Sequence, residues 1–216
     1  MNPSLGSFNT RLIQLKPLLS SLKYIIPIKF DVHFFLRYKG YPQVTRIPFN
    51  GSFHEASPGD LPRLVQCNPK RHRFEERFRN QDRCFIAETP SGSIVGYEWL
   101  STPPFHYEQK YHYRITIPEG SFYLYDAFIL PEYRISGVWL GLKAAIGEAM
   151  QKEGKHTLIT YVSHNNHLSF RTHFRFGFRI YECVSVLTLG SMGFTWRIPL
   201  EHSTELVKWL SFPHSH

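Results

Sequence analysis

From residue 49 onward, hydrophobic positions recur with the two-residue period of strands or the 3.6-residue period of helices. In the first half of this region the pattern predicts a strand at 51–56, a helix opening at 57–60 and running to Val65, a helix at 74–80, and strands at 83–88 and 93–100. In the second half it predicts a strand at 121–130, a helix from Val138 ending before Gly154, a strand at 156–162, a helix at 166–176, and strands at 178–189 and 194–199. Residues 102–119 have paired prolines and no clean period, which predicts a long loop. Because a hairpin precedes the strand–helix alternation, we expect a mixed sheet.

The two ends of the chain are predicted to lie outside the main domain. Residues 1–48 are predicted to form an N-terminal extension, and residues 201–216 a short helix with a tail. Within the extension, residues 12–26 carry leucines at helical spacing, and residues 28–34 alternate like a strand, although a helix entered at Pro27 stays open. We expect the extension to pack as a cap on the main domain. The alternative is an amphipathic helix at a membrane surface.

Composition narrows the class of protein. The chain has 216 residues, of which 42% are hydrophobic and 19% charged, and this excludes a globally disordered or collagen-like chain. No stretch reaches the roughly 18 uninterrupted apolar residues of a spanning helix, and the three cysteines are widely separated, so we expect a cytoplasmic protein. The net charge of +8 favours nucleic acid, an anionic membrane or a phosphorylated cofactor, without choosing among them.

A candidate phosphate-binding segment runs from residue 131 to 139, directly between a buried strand and a helix. The start of a helix exposes unpaired backbone N–H groups at the positive end of its dipole. Gly137 would let the backbone approach a ligand closely, and Arg134 could add a positive charge. From this segment alone, an ordinary strand-to-helix turn with a surface arginine is the preferred interpretation.

A second motif follows the next strand, where Asn166, Ser169, Gly177 and Phe178 stand at offsets 0, 3, 11 and 12. With Pro131, Arg134 and Gly137 they resemble the acyl-CoA loop and the later N-x-x-A/S and G-F signatures of the GCN5-related N-acetyltransferase (GNAT) family. Three further segments resemble parts of the family's pattern: 56–61, 94–97 and 126–131. The resemblance covers roughly residues 50–198.

The resemblance implies a GNAT-like α/β fold with a mixed, mostly antiparallel sheet flanked by helices, over residues 49–200. It also implies an acyl-CoA-dependent N-acyltransferase, in which a small-molecule amine directly attacks acetyl-CoA. Backbone amides of the fourth strand would hold pantetheine and polarise the thioester, at Phe128, Ile129 and Leu130. Arg134 and the following amides would hold the pyrophosphate, at Ile135, Ser136, Gly137, Val138 and Trp139. Asn166 and Ser169 would meet the pantetheine arm.

The sequence departs from the family's pattern at two positions. Trp139 stands where the loop normally has Gly or Ala, so its indole either reshapes the acyl-CoA channel or turns into the core. His173 stands where many members have a tyrosine that protonates the departing thiolate. An imidazolium could perform the same protonation, because its pKa lies near neutrality. The alternative is a solvated helix histidine.

The acceptor amine must also lose a proton before it attacks. Asp126 is the first candidate base, because a carboxylate on an otherwise apolar strand is costly unless it is paired or faces a cleft. An aspartate bonded to loop N–H groups is the alternative interpretation. Glu98, between two aromatic residues on a neighbouring strand, is the second candidate.

Several partners remain open at this point. The basic cluster at 70–73 is interpreted as a solvated helix face, so no nucleic acid partner is expected; no metal is expected either. The aromatic residues within 102–119 are a candidate lid over a small amine. A long-chain acyl donor on CoA or an acyl carrier protein, used near a membrane, is the first alternative function. A non-catalytic nucleotide- or RNA-binding module is the second, and a homodimer stays open.

Overall fold

The computed structural model describes residues 28–40, 46–102 and 104–212. The strands are β1 Ile28–Lys39, β2 Ser52–Ala56, β3 Arg83–Glu88, β4 Ile94–Ser101, β5 Phe105–Glu108, β6 Tyr113–Thr116, β7 Ser121–Ile129, β8 Thr157–Ser163, β9 Arg179–Leu189 and β10 Met192–Pro199. The helices are α1 Leu61–Cys67, α2 Arg71–Arg79, α3 Val138–Lys152, α4 His167–Arg175 and α5 Thr204–Ser211, with 3-10 turns at Pro58–Asp60 and Pro131–Tyr133. The helical pattern predicted over residues 12–26 and the tail after residue 212 lie outside the described residues.

Eight strands form one sheet in the order β10-β9-β1-β8-β7-β4-β3-β2. Only β7 and β8 are parallel, and every other neighbouring pair in this sheet is antiparallel. The parallel pairing follows from the connection through α3, because a crossover helix returns the chain to the starting end of the sheet. The mixed, mostly antiparallel sheet predicted from the sequence is confirmed.

The strand β1 lies inside the sheet, which corrects the prediction of a cap. It pairs with β8 along one edge and with β9 along the other, and Phe35 and Leu36 at its centre are fully buried on opposite faces. Alternation from Ile28 predicted a strand, but its neighbours are more than 100 residues away along the chain. Sequence periodicity carries no information about such long-range pairing.

The two faces of the sheet are covered by different elements. One face, called here the α3 face, packs against α3, α4 and α5 around Phe34, Phe85, Leu142 and Phe170. The other, called the hairpin face, packs against α1 and α2 at one end and against the β5–β6 hairpin at the other. Among the described residues no helix combines the length and apolarity required to cross a membrane.

The β5–β6 hairpin occupies the stretch predicted as a long loop. Tyr113 and Ile115 point into the sheet and are buried, while Arg114 and Thr116 point outward. Their two-residue alternation was a strand signal, but each strand is only four residues long, and β5 directly follows a proline pair. Because Tyr113 and Ile115 belong to a buried cluster, this hairpin is a packed cover on the sheet.

Candidate active site

A gap opens in the sheet where β7 and β8 diverge. The two strands pair only from Ser121 to Tyr123 on β7 and from Thr157 to Ile159 on β8, although both continue further. Helix α3 follows β7 and helix α4 follows β8, so both helix N-termini lie at the open end of the gap. The first-turn N–H groups of a helix have no intrahelical acceptor, and they favour an anion.

The segment before α3 has the backbone that the sequence predicted for an anion-binding turn. Gly137 is the N-cap of α3 with φ 85°, in the left-handed region. A Cβ at this position would come within 2.7 Å of Pro48 Cδ, so glycine is required by both conformation and space. Arg134 and Ile135 are exposed beside it, while Val138 is buried and anchors the helix on the sheet. The five residues from Ile135 to Trp139 therefore do lie at one helix start.

The end of β7 is distorted by a bulge. Tyr97 pairs with Phe128 and Trp99 with Tyr125, so Glu98 faces two residues of β7, and Asp126 there has φ 44°. Phe128, Ile129 and Leu130 are half-buried beside the gap. The backbone N–H of Leu130 donates to the carbonyl of Val95 at 2.9 Å. The Leu130 N–H is therefore not available to pantetheine. Of the three amides predicted on this strand, those of Phe128 and Ile129 remain candidates.

The start of α4 brings Asn166, Ser169 and His173 together. Asn166 caps the helix, its side-chain oxygen accepting the Ser169 N–H at 3.1 Å. His173 Nδ1 donates to the Ser169 carbonyl at 2.8 Å and is 3.2 Å from the Ser169 hydroxyl. Burial and, to a smaller extent, the positive charge of Lys143 lower the pKa of His173 to about 4. An imidazole of this pKa is neutral at pH 7, so the structure does not support the predicted imidazolium.

Trp139 bridges the two helices. Its ring centroid lies 4.9 Å from that of Phe176 and 5.5 Å from that of His173, and the side chain is half-buried. Of the two interpretations of Trp139, the packed one fits these contacts. Its backbone N–H remains at the first turn of α3.

The buried state of His173 predicts how stability depends on pH. Because its folded pKa is about 4 and its ordinary value 6.5, the folded protein binds fewer protons than the unfolded chain between these values. This contribution to stability is therefore present above pH 6.5 and lost as the pH falls towards 4. We expect denaturant unfolding at pH 4.5, 5.5 and 7 to show this slope, and a smaller slope in His173→Phe. An identical slope in the variant would contradict the assignment.

Asp126 is bound to two cations on the hairpin face. Arg77 donates to one carboxylate oxygen, and the Lys70 ammonium donates to the other at 3.0 Å. Burial would raise the pKa of Asp126, but the charges and hydrogen bonds of these cations lower it below its ordinary value. A carboxylate held this way is a weak proton acceptor, so the geometry gives Asp126 a structural role instead of the predicted one.

Glu98, the second predicted base, points to the α3 face and is buried against Lys143. Burial raises the pKa of Glu98 and lowers that of Lys143, while each charge opposes the shift of the other. The Lys143 ammonium also lies 4.9 Å from the Trp139 ring centroid. Glu98 Oε2 has no hydrogen-bond partner among the described residues. This carboxylate contacts no solvent through which an acceptor amine could reach it.

Sequence reasoning missed a set of polar residues on β5 that face the gap from the hairpin face. His106 and Glu108 point towards the sheet, while Phe105 and Tyr107 on the same strand are exposed. The alternation of these four residues was the available signal, and it was obscured because the stretch was interpreted as a loop. Among the described residues no cluster of His, Cys, Asp and Glu side chains has the arrangement of a metal site.

Solved structures with the same fold confirm the fold class. A protein from Novosphingobium aromaticivorans, described as an acetyltransferase of the GNAT family, aligns with a TM-score of 0.54 at 13% identity, over 77% of this chain and 67% of its own. A tandem GNAT protein of clavulanic acid biosynthesis aligns with a TM-score of 0.52 at 12% identity, over 86% of this chain and 58% of its own. A fungal GCN5-related glucosamine N-acetyltransferase region aligns with a TM-score of 0.53 at 14% identity, over 83% of this chain and 22% of the multidomain chain.

At these sequence identities, the structural similarity establishes the fold but not the activity or the substrate. The chain has the fold of the GCN5-related N-acetyltransferases. No protein-family model matches the sequence, and no curated protein sequence matches it.

Proposed function

We propose that the protein is an acyl-CoA-dependent N-acyltransferase that transfers an acetyl group to an amine. The observation that carries this proposal is the gap between β7 and β8, flanked by the N-termini of α3 and α4. An extended ligand arm can enter such a gap and bond to strand backbone, while its phosphates meet helix N-termini. The names of two neighbours of the same fold, an acetyltransferase and a glucosamine N-acetyltransferase region, support acetyl as the transferred group.

Three sets of residues would hold the parts of acyl-CoA. The N–H groups of the α3 first turn, with the exposed Arg134, would bind the pyrophosphate. Backbone of β7 around Phe128 and Ile129 would hold pantetheine and orient the thioester carbonyl, which acyl transfer requires to be polarised. Asn166 Nδ2 would meet the pantetheine arm, because its side-chain oxygen already caps α4.

The departing thiolate would leave without a histidine acid. His173 is neutral and its Nδ1 proton is donated to a carbonyl, so it supplies no proton readily at pH 7. The positive ends of α3 and α4 would stabilise the thiolate until it is protonated from solvent.

Calorimetric titration tests this function. We expect acetyl-CoA to bind with micromolar affinity, and thiol release to appear when an accepted amine is added. Absence of binding by acetyl-CoA and by long-chain acyl-CoA would overturn the proposal. RNA binding with a steep salt dependence in that case would favour the non-catalytic module instead.

A longer acyl group is the second candidate, favoured by an exposed apolar row. Strand β10 at the sheet edge is exposed along most of its length, and every second residue from Met192 to Ile198 is a large apolar one: Met192, Phe194, Trp196 and Ile198. Trp209 and Phe212 also expose about half of their surface. Such a row could contact lipid or an acyl chain. In the same titration, preference for a long-chain acyl-CoA, together with co-flotation with anionic vesicles, would favour this candidate.

A further inference from the structure

Strand β5 lies across the gap on the hairpin face, opposite to α3 and α4. The ring centroid of His106 is 4.2 Å from that of Tyr125 and 5.0 Å from that of Tyr123, both on β7. Two residues further along β5, Glu108 Oε2 accepts a hydrogen bond from the Tyr161 hydroxyl of β8 at 3.1 Å. The strand thus places a histidine over one side of the gap and a carboxylate over the other.

Glu108 has no lysine or arginine partner among the described ion pairs, unlike Asp126 and Glu98. Its Oε1 accepts the Lys110 backbone N–H at 3.1 Å, while the Lys110 ammonium lies 4.6 Å from the Tyr111 ring centroid. The hydroxyls near it belong to Tyr161, Tyr123, Tyr113 and Tyr111, whose pKa values burial raises, so they stay uncharged. Within residues 28–40, 46–102 and 104–212, the Glu108 carboxylate therefore has a tyrosine hydroxyl and a backbone N–H as hydrogen-bond donors but no cationic partner.

The Tyr123 hydroxyl gives a second, independent observation. It is buried at the base of the gap and has no hydrogen-bond partner within the described residues. A buried hydroxyl normally has a partner, since an unmade hydrogen bond costs about 1–3 kcal/mol. The Tyr123 hydroxyl lacks a hydrogen-bond partner, and the Glu108 carboxylate lacks an ion-pair partner. Together they indicate a place for a polar ligand group.

A chain of hydrogen bonds fixes which nitrogen of His106 carries the proton. The Ser101 hydroxyl donates to Asp82 and has no second proton, so it accepts from His106 Nδ1 at 2.8 Å. Burial and, to a smaller extent, the charge of Arg77 lower the pKa of His106 to about 4. Nε2 is thus unprotonated, and no positive charge on β5 opposes a cation at Glu108.

We propose that β5 forms the acceptor-binding side of the active site, where Glu108 and Tyr161 bind the ammonium group of a cationic amine and Glu108 accepts its proton. This inference rests on the proposed acyltransferase function for its catalytic half. The Tyr161 ring stacks on His33 at 4.0 Å between centroids, and Arg77 already lies 4.9 Å from the Tyr125 ring centroid, so the ammonium group would be held by the Glu108 carboxylate and the Tyr161 hydroxyl oxygen.

The transfer step accounts for every proton and electron pair. Glu108 takes one proton from the ammonium, and the free amine nitrogen attacks the thioester carbonyl carbon. A C–N bond forms, the C–S bond breaks, and the electron pair leaves with sulfur as the CoA thiolate. The nitrogen loses its second proton to solvent, and the carboxyl group of Glu108 returns its proton to solvent, which also protonates the thiolate.

The charges on this face also select the class of amine. Two cations that could bind an acceptor's carboxylate, Arg77 of α2 and Lys70 just before this helix, are already paired with Asp126. Glu108 would repel a carboxylate placed beside the amino group. We therefore expect simple primary amines and amino sugars to be accepted and α-amino acids to be rejected.

The experiment compares wild type with Glu108→Gln and, as a matched control, Glu119→Gln at an exposed position before β7. Three probes are used: n-butylamine, glucosamine and glycine. Binding of each amine is measured by NMR titration without acyl-CoA, acetyl-CoA binding by calorimetry, and turnover by thiol release from pH 7 to 10. Glu108→Gln should bind n-butylammonium at least tenfold more weakly and lower kcat/KM by about 10²–10⁴ at pH 7. The rate should recover towards pH 10, where the amine loses its own proton, and acetyl-CoA affinity should not change.

Each outcome decides the inference separately from the proposed function. Unchanged amine binding and turnover in Glu108→Gln, or a preference for glycine, overturns the inference while acetyl-CoA binding keeps the function. If wild type binds no acyl-CoA, the function fails, and loss of n-butylammonium binding in Glu108→Gln still supports the ammonium site. If wild type binds none of the three amines, the site is wrong.

Discussion

Replacing Gly137 with glutamate is expected to weaken acetyl-CoA binding at least about 100-fold, which corresponds to about 2.7 kcal/mol. A side chain at φ 85° adds a conformational cost of about 1–2 kcal/mol. Its Cβ would also come within 2.7 Å of Pro48 Cδ, so the loop must shift. The new carboxylate would then stand at the helix end where the phosphates are expected. Calorimetry with acetyl-CoA measures the effect.

Gly154→Glu is the matched control for this substitution. Gly154 also has a positive φ, of 71°, but a Cβ there would meet nothing within 4 Å, and the residue lies beyond the other end of α3. We expect it to bind acetyl-CoA like wild type. Because Gly137→Glu could also perturb folding, the exposed Arg134→Glu serves as a second variant, with an expected loss of about tenfold. Wild-type affinity in both loop variants would contradict the assignment of this loop.

Replacing Lys143 with methionine is expected to lower the free energy of unfolding by about 3–5 kcal/mol, because it leaves the Glu98 carboxylate buried without its cation. Methionine keeps most of the side-chain volume, so the charge is the main change. Denaturant unfolding at pH 7 measures the difference.

The destabilisation should also depend on pH. Burial raises the pKa of Glu98 even beside Lys143, and removing the cation raises it further. The folded variant then keeps its Glu98 proton to higher pH than the unfolded chain does, so its stability is highest below the ordinary glutamate pKa of about 4.3 and falls as the pH rises. A pH-independent difference between Lys143→Met and wild type would contradict this explanation.

Two further variants complete this comparison. Lys152→Met breaks an exposed pair with Glu148 on the same helix and should change stability by less than about 0.5 kcal/mol. The double variant Glu98→Gln with Lys143→Met removes both charges and should regain much of the loss. A double variant as unstable as Lys143→Met alone would indicate that packing, not charge, causes the effect.

The motifs at the strand ends were predictable from the sequence because their chemistry is local. Gly137 is needed where the backbone takes a positive φ, and Asn166 caps the helix that begins at the next residue. Each requirement is satisfied within a few residues, so spacing alone located both helix starts. The same reasoning located nearly every strand that packs on a helix.

The roles of the charged residues could not be predicted in this way. Asp126 was the first candidate base, yet Arg77 and Lys70 reach it from 49 and 56 positions away. The partner of Glu98 is 45 positions away along the chain. Glu108 could not be recognised from the sequence, because its position over the gap depends on a hairpin that crosses two diverging strands.

The sequence by itself determined most of the strands and helices and the two turns that begin α3 and α4, because these depend on periodicity and local backbone conformation. The fold class followed from the resemblance of its motifs to those of the GNAT family. Only the tertiary structure decided where β1 enters the sheet, which carboxylates are paired, and that His173 is neutral. Those properties depend on long-range contacts and on burial, and a side chain's charge and availability are set by its neighbours in space.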